Sequence, residues 1–597
     1  MRATVGVAAG AAALVLLLCA TALAQEKPLT LADAATAAPL TANDAAALAR
    51  YVGERLHASK VLTPLPAALK QDAEARMVFV SVSDGEESAH VAISAARGAV
   101  RAAEGAMTRI TRLLPDVSQR VWIKVDIVNR VEPLAPGATK LALGIRRSLD
   151  GLEMAGGLAL LPEELLGWHL VEGHRFIEGS LYDYLEARPA RAAVDMDDEL
   201  RPVRRFGCAS FFLLDDHTPL PLYRGHRLFD RLTPDDLRAA ADAAGAYLVR
   251  SVTETGRFEY SYRLDLDEVP REYNIVRHAG TLWAMVDLYR ETRDDEQLAA
   301  IDRAMRYLLA QIRPMKIGDQ EVVGVVENDE VSLGGNALAA LALGAYIEAT
   351  GNQDHLPILR ALGKALRAAQ APGGRFEVQR QKFSTGAIFY EDGPYAPGEA
   401  VLALLKVHDV DPDPALLDAA VRGARFLVTL RDAGKLPEEL PHDHWLLYSL
   451  RAVHAKNPDR LWVDHAIRLS RAIIAQQHKP GDTKVPPDAI GAWAEARSTP
   501  AAVRSEGLLA ASALMRRAAR PTEAREFQHA AIAAIAFQLR TQVWPESAMH
   551  CRNPRRAIGA FREELGGVYV RIDFVQHNLS GILELLRQIE QTKTVEP

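Results

Sequence analysis

The sequence predicts two architectures in one chain: an N-terminal α+β (or α/β) region, then an all-α region of twelve alternating helices. Strand-like runs rich in β-branched and aromatic residues, such as Met77–Asp84 (MVFVSVSD), dominate before about residue 225. From about 235 the apolar period becomes helical, and two kinds of helix alternate. Ala337–Ile347 (ALAALALGAYI) is apolar nearly all round, as a helix buried on every side must be. Its successor places Leu359, Leu362 and Leu366 on one stripe and Arg360, Lys364 and Arg367 on the other.

The first 24 residues have the form of a signal peptide. Arg2 supplies a positive n-region, Ala8 to Leu18 an apolar core too short for a typical membrane span, and Ala22-Leu23-Ala24 a cleavage pattern before Gln25. The expected location is therefore periplasmic or secreted, with no membrane span after cleavage. A lipid anchor on Cys19 or a retained anchor are the alternatives.

Residues 25–75 read as a helical lead-in, clearest over Asp44–Leu56. The α+β domain is expected over 76–225. It takes the strand at Met77–Asp84, an Ala-rich amphipathic helix over 89–114 closed by Pro115, and a second strand over 120–131 with Val121, Ile123, Val125 and Ile127 on one face. Shorter strands are predicted at Lys140–Arg146 and Gly157–Leu161. This region resembles the AMMECR-type domain through Val131-Glu132-Pro133-Leu134, Gly151-Leu152-Glu153 and Leu160-Leu161-Pro162-Glu163. The Cys-containing loop that marks that family is absent, so the resemblance implies a fold and no function.

Helices are predicted over 235–252, 277–292, 296–312, 336–350, 355–370, 398–410, 414–430, 443–456, 460–477, 503–519, 522–540 and 573–592. Buried and amphipathic helices alternating in this way resemble the (α/α)6 toroid of many carbohydrate-active enzymes, here spanning 235–597. The resemblance implies six parallel inner helices, six outer ones returning, and closure of the first helix beside the last. An open helical solenoid is the competing architecture. The segments 313–335, 371–397, 478–502 and 541–572 precede inner helices and are long; Val322–Val326, with Gly318 and Gly324, suggests a hairpin.

A formal net charge of −7, without long single-sign blocks, excludes the basic face of a nucleic-acid binder. After signal cleavage only Cys208 and Cys551 remain, either as one disulfide or as two isolated thiols. No Walker loop, Rossmann fingerprint or GxSxG elbow is present, and no cofactor is implied.

Six polar clusters sit at the starts of the inner helices: Tyr273–Arg277–His278, Gly334–Gly335–Asn336, Tyr395–Gly398–Glu399, His442–Asp443–His444–Trp445, Arg504–Ser505–Glu506 and Asp573–Gln576–His577–Asn578. Parallel inner helices bring all six to one end, where free N–H groups and helix dipoles favour anionic or polyhydroxyl ligands. Arg277, Arg504 and Arg571 suit carboxylates, and Tyr273, Tyr395, Trp445, Trp493 and Tyr569 suit sugar rings. His278, Asn336, His442 and Gln576 complete the candidate binding set.

Carboxyl groups for acid–base work are Glu399, Glu506 and Asp573, with Glu327-Asn328-Asp329-Glu330 and Glu391-Asp392 nearby in sequence. Glycoside hydrolysis needs two such groups at a defined separation. His444 on the eighth helix and His577 on the twelfth are placed as in the N-acylglucosamine 2-epimerase type of toroid, which implies proton exchange between two histidines. The surrounding HDHWLLYSL and FVQHNLSGI depart from that family's motifs. His442/His444 and Asp573/His577 are alternative metal ligands, as in toroids that hold zinc. The sequence thus predicts an exported enzyme acting on an oligo- or polysaccharide, either neutral or uronate-containing, with hydrolysis the first choice and epimerase or lyase chemistry second. A non-catalytic glycan- or protein-binding scaffold and a terpenoid cyclase-like toroid are the other classes.

Overall fold

The structure, a computed structural model, describes residues 29–119, 122–134, 137–191, 201–229, 231–389 and 393–593. The signal segment, Val121 and the Glu391-Asp392 pair lie outside the described residues. No described helix is long and apolar enough to cross a membrane.

In the N-terminal region, α1 (Ala42–Leu56) and α2 (Ala99–Leu113) pack on a mostly antiparallel sheet. Its main strands are β1 (Ala75–Ser83), β2 (His90–Arg97), β3 (Trp122–Pro133), β4 (Pro202–Leu213), β5 (Pro219–Tyr223) and β6 (His226–Arg227), in the spatial order β6-β5-β4-β3-β1-β2. The predicted helix over 89–114 is corrected: its first half is β2, paired residue for residue with β1 from Val82↔His90 to Ala75↔Arg97. Sheet pairing overrides the helix preference of alanine there, and Gly98, at φ +94°, turns the chain into α2. The strand predicted at Lys140–Arg146 is reduced to an isolated bridge between Thr139 and Ala142.

Twelve helices follow. The inner six are α4 (Ile275–Thr292), α6 (Leu333–Thr350), α8 (Ala396–Val410), α10 (His444–Lys456), α12 (Ser498–Arg517) and α14 (Ile572–Lys593). The outer six are α3 (Pro234–Ser251), α5 (Asp295–Ala310), α7 (Leu356–Ala368), α9 (Pro414–Phe426), α11 (Arg460–Ala475) and α13 (Pro521–Thr541). Each inner helix packs on the next, and α14 packs back on α4, so the ring is closed rather than an open solenoid. In α6 every residue except Glu348 and Thr350 is buried, while α7 keeps Arg360, Lys364 and Arg367 in solvent. The apolar period therefore encodes inner and outer positions directly.

Two helix bounds differ for identifiable reasons. Helix α12 starts at Ser498, five residues before the predicted 503, because Pro500 lies in the first turn, where no backbone donor is needed. After Phe426, α9 widens into a π turn over Leu427–Arg431, which delivers Arg431 to Asp432 and Asp443. The predicted hairpin is β7 (Ile312–Ile317) with β8 (Gln320–Glu327), and β9 (Glu330–Ser332) pairs next to it.

The two regions interlock. Met549 O accepts from Ala89 N at 2.6 Å, Arg227 pairs with Glu546, and His169 Nδ1 lies 2.7 Å from Asp265. Both Cys208 and Cys551 are free thiols, which decides against the disulfide.

Candidate active site

The N-terminal ends of all six inner helices line one cavity of about 480 Å³. Arg277 comes from α4, Leu338 from α6, Glu399 from α8, His444 and Trp445 from α10, Thr499 to Arg504 from α12, and Asp573 to His577 from α14. Tyr395, His442 and Arg571 reach it from the loops that precede these helices.

Caps set the side chains. Asp443 is the N-cap of α10: Oδ1 accepts from Leu446 N at 3.0 Å and Oδ2 takes Arg431 Nη1 at 2.7 Å, so His444 begins the helix facing inward. The short strand Tyr569–Arg571, paired with Ser261–Arg263, feeds Arg571 into the first turn of α14.

Two histidines face each other across the ring. The His444 and His577 rings stand edge to face with centroids 5.5 Å apart. His444 is buried beside Trp445 (4.7 Å between ring centres) and Tyr395 (6.0 Å), and neither of its ring nitrogens has a protein partner. An unpaired buried imidazole is costly, so a ligand is the natural partner. Burial, then the neighbouring His577, holds the His444 pKa well below its usual value. For His577 burial also opposes charge, but the Glu506 carboxylate 2.8 Å from Nδ1, with Asp573 and Glu399 adding to it, leaves the pKa raised. That contact leaves Nε2 of His577 for the cavity. Tyr448, one turn beyond His444 on α10, donates to the other oxygen of Glu506 at 3.1 Å.

Glu399 is buried at the cavity wall, and burial, reinforced by Asp443, pushes its carboxyl up to about 8. The site thus favours its neutral, protonated form. Asp573 is occupied by two cations: Arg571 donates from Nε and Nη2 at 2.5 and 2.9 Å, and Arg277 Nε lies 3.1 Å away. His442 accepts from Arg504 Nε at 2.9 Å, and burial with that guanidinium lowers its pKa to about 4.

Five expected binding residues lie elsewhere, among them Tyr569, whose hydroxyl donates to Glu272 away from the cavity. Tyr273 and His278 bond each other at 2.7 Å, and His278 Nε2 also meets Ala304 O. Asn336 turns away to accept from Val325 N at 2.8 Å, holding β8 on α6, and Leu338 takes its place at the wall. Trp493 is buried with Nε1 on Ile473 O and Arg504 over its ring. Glu506 is fully buried behind His577 rather than at the cavity surface, because α12 begins a turn and a half before the expected start. Gly334 is no turn residue but lies in α6, where any Cβ would strike the Glu399 carboxylate. The sequence reading missed Glu495, Arg497 and Tyr448; only Tyr448 had a signal, its i,i+4 spacing from His444.

His444, Glu506 and His577 place three ligand atoms within 4.8 Å of one another. A transition-metal ion would accept such a set. His577 Nδ1 also lies 2.8 Å from Glu506 Oε1.

No family profile and no curated protein sequence matches the chain. Solved structures overlap about 60% of it. They include a D-mannose isomerase (14% identity, TM-score 0.46, 60% of this chain and 100% of that one). A cellobiose 2-epimerase from Bacillus thermoamylovorans gives 12%, 0.45, 60% and 99%. An α-1,6-mannanase from a Salegentibacter species gives 14%, 0.39, 59% and 99%. Likeness at this level decides neither substrate nor chemistry.

Proposed function

We propose that the cavity is the active site of an exported sugar isomerase or 2-epimerase, which moves a proton on the carbon next to a sugar's carbonyl. The observation that supports this most is the His444–His577 pair, one ring held neutral and the other favoured as a cation, with centroids 5.5 Å apart at the cavity. General acid–base chemistry requires such a pair of opposed protonation states.

In the proposed step, neutral His444 removes the proton from C2 of the open-chain sugar. The electron pair moves into a C1–C2 enediol while neutral Glu399 hydrogen-bonds the oxygen that gains charge. Imidazolium His577 then returns a proton, to the opposite face of C2 for epimerisation, or to C1 for isomerisation, in which O1 also takes up a proton and the O2 hydroxyl gives one up as C2 becomes the carbonyl. Glu506 orients His577 and stabilises its charge. No bond to a leaving group breaks, and the protons balance through exchange with water.

Hydrolysis, the first choice from sequence, is less well supported. Of the carboxyl groups at the cavity, Asp573 is held by two arginines and Glu495 by Arg504, which leaves Glu399 without a free carboxylate partner. A panel of aldoses, ketoses and oligosaccharides in D2O, followed by proton NMR, tests the proposal. Deuterium appearing at C2 supports it; release of new reducing ends without exchange replaces it with hydrolysis, and saturable binding without product with a scaffold.

A further inference from the structure

We infer that the substrate is an open-chain hexuronate whose carboxylate seats on Arg277 and Arg571. This rests on the proton-transfer function proposed above and adds the substrate class. Two guanidinium groups share one carboxylate at this point: Arg571 chelates Asp573 from one side, and Arg277 meets its Oδ2 from the other. The remaining lining arginines are matched singly, Arg504 by Glu495 and Arg497 by Glu563. One positive charge is therefore left over at Arg277–Asp573–Arg571, and it faces the cavity.

Both guanidinium groups are held in place and retain donors. Arg571 lies over the Phe574 ring at 4.4 Å, and Arg277 Nη1 donates to the Tyr260 hydroxyl at 2.7 Å. Among the described residues, Arg571 Nη1 and Arg277 Nη2 have no hydrogen-bond partner shown. Guanidinium edges presented in this way match a carboxylate in shape and charge. A phosphate, at about −1.5 to −2 at neutral pH, exceeds the single surplus charge.

Spacing gives the second constraint. Asp573, which holds both arginines, and His577 are four residues apart on α14, a backbone rise of about 6 Å along the helix axis. That matches the span from C2 to C6 of an extended six-carbon chain. Trp445 and Tyr395 line the same cavity. A free hexuronate of this kind is the product of a reaction that cleaves uronate-containing glycans, which would supply it.

The test uses the full chain with D-glucuronate and D-galacturonate beside glucose, galactose and mannose, scored by C2 deuterium exchange. The expected result is a kcat/KM at least tenfold higher for a hexuronate than for its neutral counterpart. Arg571→Met should raise KM at least tenfold more for the hexuronate than for the neutral sugars, with kcat on the hexuronate little changed. The double variant R571M/D573N, which removes both charges, checks that the loss is not misfolding. Exchange on neutral hexoses without preference for a uronate overturns the inference while the reaction stands. Equal loss of kcat on both sugar classes in R571M overturns the carboxylate seat. No exchange on any sugar by the wild-type chain overturns the reaction itself.

Discussion

Glu506 on α12 accepts from both helices that flank it in the ring: Oε1 meets His577 Nδ1 of α14 at 2.8 Å, and Oε2 meets the Tyr448 hydroxyl of α10 at 3.1 Å. A single buried carboxylate on α12 thus ties the two helices that carry the histidine pair. The tie fixes the His577 tautomer, with Nδ1–H toward the carboxylate, and favours its charged form.

The two histidines and Glu506 should separate by kinetics. Replacement of either histidine by Asn removes a proton-transfer group and should lower kcat by about 10²–10⁴-fold. Glu506→Gln keeps the hydrogen bond but loses the charge, so the raised His577 pKa falls. The alkaline limb of the pH–rate profile, where the imidazolium is lost, should then move to lower pH. A profile measured for wild type and E506Q under saturating substrate checks this; an unmoved limb would assign the acid role elsewhere.

Glu399 makes stability depend on pH in a direction opposite to that of a salt-bridged carboxylate. An unfolded chain releases this proton near pH 4.3, whereas the folded protein holds it to about 8. Its contribution is therefore fully favourable in acid and is lost progressively between those values. Glu399→Gln, which cannot ionise, should raise the melting temperature at pH 8, by the equivalent of a few kcal/mol at most, and change it little at pH 4.5. The same variant should lose most of its turnover, because the acid that stabilises the enediol is gone. Calorimetry at the two pH values with one activity assay tests both halves.

Periodicity made the helical ring legible. An inner helix such as α6 meets protein on every side and an outer one such as α7 meets water on one side, so the two differ in sequence before any fold is known. The common face of the clusters followed from that alternation, and eleven named residues do line the cavity. What stayed hidden depends on side-chain direction and on where backbone groups find partners. Asn336 is drawn away by the Val325 amide, and Tyr273 and His278 are drawn to each other. The β2 strand was illegible for another reason: its pairing with β1 is non-local, and alanine alone argues for a helix.

The N-terminal sheet holds a second buried charge cluster, which should control stability without touching activity at the ring. Lys124 on β3 is fully buried, with Nζ 2.5 Å from Asp126 and 3.3 Å from Glu163. Lys124→Met leaves the carboxylates without their cation and should cost about 3–5 kcal/mol. K124M/D126L/E163L removes every charge and should regain most of the loss. Denaturant unfolding followed by a probe in the N-terminal region separates the two outcomes.

Zinc should act on this protein as an inhibitor. The spacing of His444, Glu506 and His577 accepts an ion, but coordination would fill the lone pair that His444 needs as a base and take Glu506 or His577 out of proton transfer. Micromolar Zn2+ should therefore slow C2 exchange, excess EDTA should restore it, and EDTA alone should leave the rate unchanged. Competition between zinc and sugar in a titration of the wild-type chain, and loss of zinc sensitivity in E506Q, would place the ion at these three residues. A rate that rises with added zinc would instead make the ion a participant and His444 a ligand rather than a base.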